Sequence, residues 1–359
     1  MPNLLITSMG GAGSRNIVDT LRLFDAHDEY SIVGTHFDVM ELAKSDLEHL
    51  FLVPRASDEE DYIAVHAELI ERFDIDFLIP NSDAEAATFS RNEDKVTCNH
   101  MLPDSKQISK VQDKYEFHTI LSRHGCATVP NVPVRSIEKL DEDFAMIPAA
   151  DQIWVRLRQG SGSAGATWLS TADQAQRWIG LWCELRGYTP QDFVLSSFLP
   201  GRDFCTCVIM QDGEFAVGKI YERLGYWHSD VSMSGMGSTP KSSRTVSDTL
   251  PIDETVKAVR AISEEFGLVP HGLYQADLKC DPDGRPCVTE INVGRLPMTS
   301  PQFDRIGEHI LFELYLSLIF DPERKLPRNV YDLEPGTVFL RGPDLPMLFV
   351  KQSRIDELE

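Results

Sequence analysis

"GLYQADLKCDPDGRPCVTEINVGR", residues 272–295, holds two strand-like runs joined by the turn signal DPDG at 281–284, so it reads as a β-hairpin. Side chains alternate along a strand, which assigns Val288, Glu290 and Asn292 to one face and Cys287, Thr289 and Ile291 to the other. With 281–284 as the loop, Cys280 is expected opposite Arg285 and Asp277 opposite Val288. Asp277 then lies diagonally across from Glu290, on the same face, at roughly 7–8 Å between backbones. Two carboxylates and an amide oxygen thus converge on one patch. Left unneutralised, the carboxylates repel each other; a hard cation that prefers oxygen removes that cost. Mg²⁺ suits the set, because it takes a few carboxylates and leaves its other positions for water and phosphate oxygens. The competing reading is a solvated acidic hairpin face.

Upstream, "VRLRQGSGSAGA" at 155–166 is a Gly/Ser loop between two strands, without the GK[ST] ending of a Walker-type P-loop. Gly160, Gly162 and Gly165 let backbone N–H groups approach phosphate oxygens closely, and Arg156 places a fixed cation just before the loop. A flexible hairpin tip with an exposed arginine is the plainer alternative. The N-terminal "SMGGAGSRN", 8–16, imitates a dinucleotide fingerprint through Gly11 and Gly13, but Asn16 stands where the third glycine belongs. Asp38 is a passable ribose acid for that reading, which would make the chain an oxidoreductase; the same loop also suits a substrate anion or a simple tight turn.

Strands and helices alternate through the first hundred residues ("NLLIT", "YSIVGTHFD", a helix near 60–73, "DFLIP"), as in a parallel, doubly wound sheet. "SDAE" at 82–85 has capping-box spacing, and a helix is expected from about 110 to 123. Strand-rich stretches follow, with a DG turn at 212–213, a long polar loop over 221–244 and a helix near 253–267. The fold class is therefore α/β, with α+β character in the central part.

The chain has 359 residues, which favours two or three domains or subdomains, and 42% apolar with 25% charged residues is ordinary for a globular protein. A formal net charge of −22 repels phosphate backbones and anionic lipid, which argues against nucleic acid and membrane as partners. The N-terminus lacks the basic start of a signal peptide, and no window offers the roughly 18 apolar residues of a membrane span. Seven scattered cysteines fit a reducing, cytoplasmic setting; Cys205 and Cys207 share a strand face, where buried packing is the plainer reading than a metal or redox role.

The ordered set of the Rossmann-like opening, "QDKYEF", "VRLRQGSGSAG", "VLSSFLPGRDF" and "ADLK…VTEINVGR" resembles the ATP-grasp superfamily, and within it single units similar to the carbamoyl-phosphate synthase large chain. The resemblance covers most of residues 1–320. It implies a pre-ATP-grasp Rossmann-like domain at 1–108, a lid subdomain at 109–193, an ATP-grasp core with an antiparallel sheet at 194–325 and a C-terminal strand extension at 326–359. It also implies ATP and Mg²⁺ as cofactors. Lys114 and Arg156, the latter at a position that is usually lysine, would contact the nucleotide phosphates under a flap containing Gly160, Ser161, Gly162 and Ser163. Ser197, Phe198 and Leu199 would form the adenine hinge, although the family often has glutamate at Ser197, and Asp203 would hold the ribose hydroxyls. Asp277, Glu290 and Asn292 match the metal ligands, and Arg295 resembles the arginine that steadies the transferring phosphoryl group or a substrate carboxylate.

The activity so implied is an ATP-dependent carboxylate–amine ligase passing through an acyl phosphate, with a small carboxylate and an amine as substrates. A phosphoryl-transfer or carboxyphosphate-forming enzyme without amide formation, and a non-catalytic nucleotide-binding regulator, are the alternatives. Glu85 and His228 are further candidates for substrate contact, against a capping role for the first and a surface position for the second. The tail "VFLRGPDLPMLFV" is expected to pack on the body as one or two strands or to make the contact of a homodimer.

Overall fold

The structure, a computed structural model, describes residues 1–23, 29–148, 152–160, 162–237, 239–296, 303–332, 334–342 and 348–357. Strands β1 (Asn3–Ile6), β2 (Ser31–His36), β3 (His49–Leu52), β4 (Phe77–Ile79) and β5 (Asn99–His100) form a parallel sheet in the order β3-β2-β1-β4-β5. Alternation along β1 feeds two cores. Leu4 and Ile6 pack with Ile17, Val18 and Leu21 of helix Ala12–Leu23, while Leu5 joins Tyr62, Ile63, Leu69 and Ile70 of helix Glu59–Arg72. The doubly wound opening is therefore present as its sequence pattern predicts.

A small antiparallel sheet follows: β6 (Asn131–Pro133), β7 (Ile153–Leu157), β8 (Thr167–Leu169) and β9 (Phe193–Ser197), in the order β6-β9-β7-β8. Helix Ala172–Arg186 covers it with Ala175 and Ile179; Thr171 caps its start by accepting from the Gln174 N–H, and Gly187 ends it in the left-handed conformation. The expected helix over 110–123 is two helices, Ser105–Gln112 and Lys114–Arg123. Asp113 breaks them, its carboxylate accepting from the Tyr115 and Glu116 N–H groups to start the second.

The large sheet contains β10 (Asp203–Gln211), β11 (Glu214–Tyr226), β12 (Pro240–Thr245), β13 (Gly272–Cys280), β14 (Pro286–Asn292), β15 (Val330–Tyr331), β16 (Thr337–Leu340) and β17 (Leu348–Lys351). Its order is β14-β13-β10-β11-β12-β16-β17, with β15 alongside β11. Thus β9, at the expected 193/194 boundary, has its partners in the small sheet, and the strands beyond 326 extend the large one.

Helix Leu250–Glu265 covers one face of this sheet through Ile252, Val256, Val259 and Ile262. Helix Leu311–Phe320, apolar almost all round, lies between the other face and the parallel sheet and shares one core with Cys207, Ile209 and Val217 of the former and Ile6, Phe77 and Ile79 of the latter. The polar segment 221–244 is strand at both of its ends and loop between them: Tyr221–Tyr226 and Pro240–Thr245 pair, Glu222 facing Arg244, so its cross-strand partners are charged and hydroxylic instead of apolar. Among the described residues no helix is long and apolar enough to cross a membrane.

Candidate active site

The hairpin β13–β14 differs in register from its sequence reading. Asp281 accepts from the N–H groups of Asp283 and Arg285, which lengthens the turn by one residue, so Cys280 faces Pro286 and not Arg285, and Leu278 rather than Asp277 faces Val288. A bulge between Asp277 and Leu278, taken up at Thr289, then sets Asp277 directly opposite Glu290 and Gln275 opposite Asn292. The bulge also moves Val288 off the face it was assigned: Val288 and Ile291 both enter the core beneath helix Leu250–Glu265, while Thr289, Glu290 and Asn292 line a cleft of about 300 Å³.

Each polar group of this wall has a cationic neighbour. Arg223 Nη2 donates to Asp277 Oδ1 at 2.6 Å, Lys114 Nζ stands 4.0 Å from Glu290 Oε2, and Arg295 Nη2 donates to Asn292 Oδ1 at 2.6 Å. Arg295 is itself fixed by Asp83, Nε to Oδ1 at 2.5 Å. Two carboxylates in direct opposition, with an amide oxygen beside them and fixed cations behind, are a hard-oxygen donor set that fits a small divalent ion. Among the described residues no group of three His, Cys, Asp or Glu side chains gathers, here or elsewhere; this set is two carboxylates and one amide. Cys205 and Cys207 are simply buried, and burial pushes the Cys205 thiol up to about 12.

The same cleft holds the expected phosphate cations. Lys114 opens its helix, buried, and its Nζ donates to the Gly160 carbonyl at 2.9 Å; burial lowers its pKa, opposed by Glu290. Arg156, on β7, is lowered to about 10 by burial, and its Nε is sealed from solvent with no partner among the described residues. Arg158 makes a two-pronged pair with Asp113, at 3.2 and 2.7 Å, which ties the start of the loop to the start of the Lys114 helix. Gly160, Gly162 and Gly165 all have positive φ, as does Ser163; Ser161 lies outside the described residues. A Cβ at Gly160 or Gly162 would meet no described residue beyond its chain neighbours within 4 Å, so backbone conformation and not crowding selects glycine there.

Ser197, Phe198 and Leu199 line the other end beside Trp154 and Leu278. The Ser197 N–H is taken by the Pro130 carbonyl at 3.2 Å. Asp203 also borders the cleft, but both its oxygens are engaged: Oδ2 accepts from the Tyr226 hydroxyl at 2.7 Å and Oδ1 from Arg223 Nη1 at 3.4 Å. Burial raises its pKa, and Arg223 pulls the other way.

Glu85 and His228 do not join the cleft lining. Glu85 is buried in the N-terminal part, where it accepts from the hydroxyls of Thr7, Ser8 and Ser82 at 2.8 Å each and from Tyr62 at 3.2 Å; its acceptor capacity is structural. His228 is exposed in a left-handed turn. Sequence reasoning instead missed Arg341, which follows β16 and lines the cleft near Tyr221. Burial lowers its pKa, its guanidinium lies 5.4 Å from the Phe339 ring centre, and no carboxylate among the described residues pairs with it. No local motif marks this arginine; only the pairing of β16 with β12 brings it to the site.

No protein-family model matches the chain, and no curated protein matches it by sequence. Solved structures do match. The L-amino acid ligase from Bacillus licheniformis aligns with a TM-score of 0.69 at 12% identity, over 94% of this chain and 79% of that one. The biotin carboxylase domain of 2-oxoglutarate carboxylase from Hydrogenobacter thermophilus, in complex with MgADP, ADP and bicarbonate, aligns at 0.71 and 12%, over 94% and 74%. N5-carboxyaminoimidazole synthetase from Staphylococcus aureus, complexed with ADP, aligns at 0.68 and 13%, over 94% and 81%. At such identities the likeness concerns the fold, and the chain has the ATP-grasp fold that its sequence resembles.

Proposed function

We propose that this chain is an ATP-dependent ligase that activates a small carboxylate as an acyl phosphate and joins it to an amine, releasing ADP and phosphate. The observation that carries the reading is the direct opposition of Asp277 and Glu290, with Asn292 beside them, in one cleft with Lys114, Arg156 and the glycine loop. The similarity to structures that hold ADP and MgADP supports the same cleft as the nucleotide site. Asp277, Glu290 and Asn292 would hold Mg²⁺, which when bound neutralises phosphate charge. Lys114 and Arg156 face the phosphates. Phe198 and Leu199 read the adenine edge, since the Ser197 N–H is already bonded. Asp203 serves the ribose only if Tyr226 or Arg223 shares its oxygens.

A carboxylate attacking ATP brings negative charge toward negative charge, and fixed cations offset that barrier. Arg341, half-buried and without a carboxylate partner among the described residues, is suited to the substrate carboxylate; Tyr221, Met236 and Pro240 line the cleft with it. Arg295, held by Asp83 against Asn292, steadies the transferring phosphoryl group. The glycine loop closes over the site and keeps water from the activated carboxylate. We assign residues 109–193, with the rest of strand β9 to Ser197, to this lid and the residues after it, to 325, to the core that holds the metal ligands.

The test is phosphate release from Mg-ATP against a matrix of amino acids and small carboxylates, with hydroxylamine to trap the activated acid. Carboxylate-dependent release with hydroxamate formation, reduced about a hundredfold or more in Asp277→Asn and Glu290→Gln, is the expected result. Nucleotide binding without carboxylate-dependent release would remove the ligase reading, and variants as active as the parent would remove the metal site.

A further inference from the structure

Arg156 stands where the resembling family usually carries lysine, and the two side chains make different demands on their surroundings. A lysine presents a single ammonium. An arginine brings a fork of N–H donors, of which only some can face a phosphate, so the inward-facing ones need acceptors. Here Arg156 Nη2 lies 2.7 Å from His118 Nε2 and 3.4 Å from the Thr289 carbonyl.

His118 is 0% exposed, and the contact dictates its state. A guanidinium nitrogen has no lone pair to offer, so Nη2 donates and Nε2 accepts. The proton therefore resides on Nδ1, which donates to Thr128 Oγ1 at 2.5 Å. With both ring nitrogens committed, the imidazole is neutral and its orientation fixed. His118 also follows Lys114 by one helical turn on helix Lys114–Arg123, which puts both on one face. One helix thus supplies a phosphate-facing ammonium directly and sets a guanidinium indirectly.

We infer that His118 is a positioning residue for nucleotide binding: its neutral imidazole, oriented by Thr128, accepts a hydrogen bond from Arg156 and holds that guanidinium toward the phosphate end of the cleft. The inference rests on the reading of the cleft as an ATP site.

Calorimetric titration with Mg-ADP, together with kcat and KM for ATP, tests it in the full-length chain. His118→Leu is expected to weaken nucleotide binding about tenfold, the effect of losing one hydrogen bond to a charged group, while kcat changes less than KM. His118→Gln, which keeps an acceptor and a donor, recovers most of the loss, and Thr128→Val weakens binding in the same direction by freeing the imidazole to turn. In the Arg156→Lys background, which needs no acceptor, adding His118→Leu costs nothing further. A merely structural role for His118 would lower the melting temperature of every variant and make the two losses multiply. Multiplying losses, or His118→Leu binding like the parent, overturn the inference alone; a parent chain that binds no nucleotide overturns the site reading beneath it.

Discussion

Arg341 and Glu85 show at the residue scale how an environment assigns a role. Glu85 was a candidate for substrate contact, yet four hydroxyls already fill its oxygens, and a carboxylate so satisfied has nothing left to offer a ligand. Arg341 has the opposite condition: a half-buried cation beside an aromatic ring and a phenol, with no carboxylate partner among the described residues, in a cleft open to a ligand. Replacing it should therefore act on one substrate alone. Arg341→Met is expected to raise KM for the activated carboxylate about ten- to a hundredfold, the range for losing a charge-assisted pair, with KM for ATP unchanged. Steady-state kinetics with each substrate varied in turn measure this, and a parallel rise in both KM values would assign Arg341 to the nucleotide instead.

At the element scale, the hairpin and the glycine loop carry the site. Period-two alternation placed Glu290 and Asn292 together but misassigned Val288, because alternation assumes an unbroken ladder and the bulge at Thr289 adds one residue to β14. The longer turn and the bulge each shift the register by one residue in the same direction. Their sum leaves the two carboxylates face to face rather than diagonal, a closer pairing than the sequence reading had. In the loop, Gly165 differs from Gly160 and Gly162: its φ is +66°, and a Cβ there would meet Leu157 Cγ and Phe193 Cε1 at 3.2 Å. Gly165→Ala is expected to cost about 1–2 kcal/mol from backbone conformation and crowding together, read as a lower urea midpoint with unchanged slope. A midpoint equal to that of the parent would show that the loop base relaxes freely.

On the scale of the whole molecule, helix Leu311–Phe320 joins the parallel sheet to the large one, and the segment before it is held by a buried ion network in which Lys219 Nζ meets Asp304 and Asp332 at 3.1 and 3.2 Å. The pH response of folding has a component that can be isolated in the N-terminal part. His66 is 1% exposed, its Nδ1–H donating to the Tyr62 carbonyl and its Nε2 accepting from Thr35, and burial lowers its pKa from 6.5 to about 4. Between those values the unfolded chain binds a proton that the native one does not, so this contribution is complete above pH 6.5 and is lost as pH falls toward 4, at most about 3 kcal/mol. His66→Gln should flatten the fall in urea midpoint across that window; an unchanged slope would assign the whole acid response to other groups. The amino-acid sequence by itself determined the alternating N-terminal elements, the glycine loop and the residues of the acidic cleft wall, because periodicity, turn chemistry and short spacings are local properties of the chain. Only the tertiary structure decided that Asp277 faces Glu290, that Arg223 and Arg341 reach the cleft and that His118 backs Arg156. Those relations depend on strand register, on a bulge and on pairings between segments up to about a hundred residues apart, such as β12 with β16, and no local pattern encodes them.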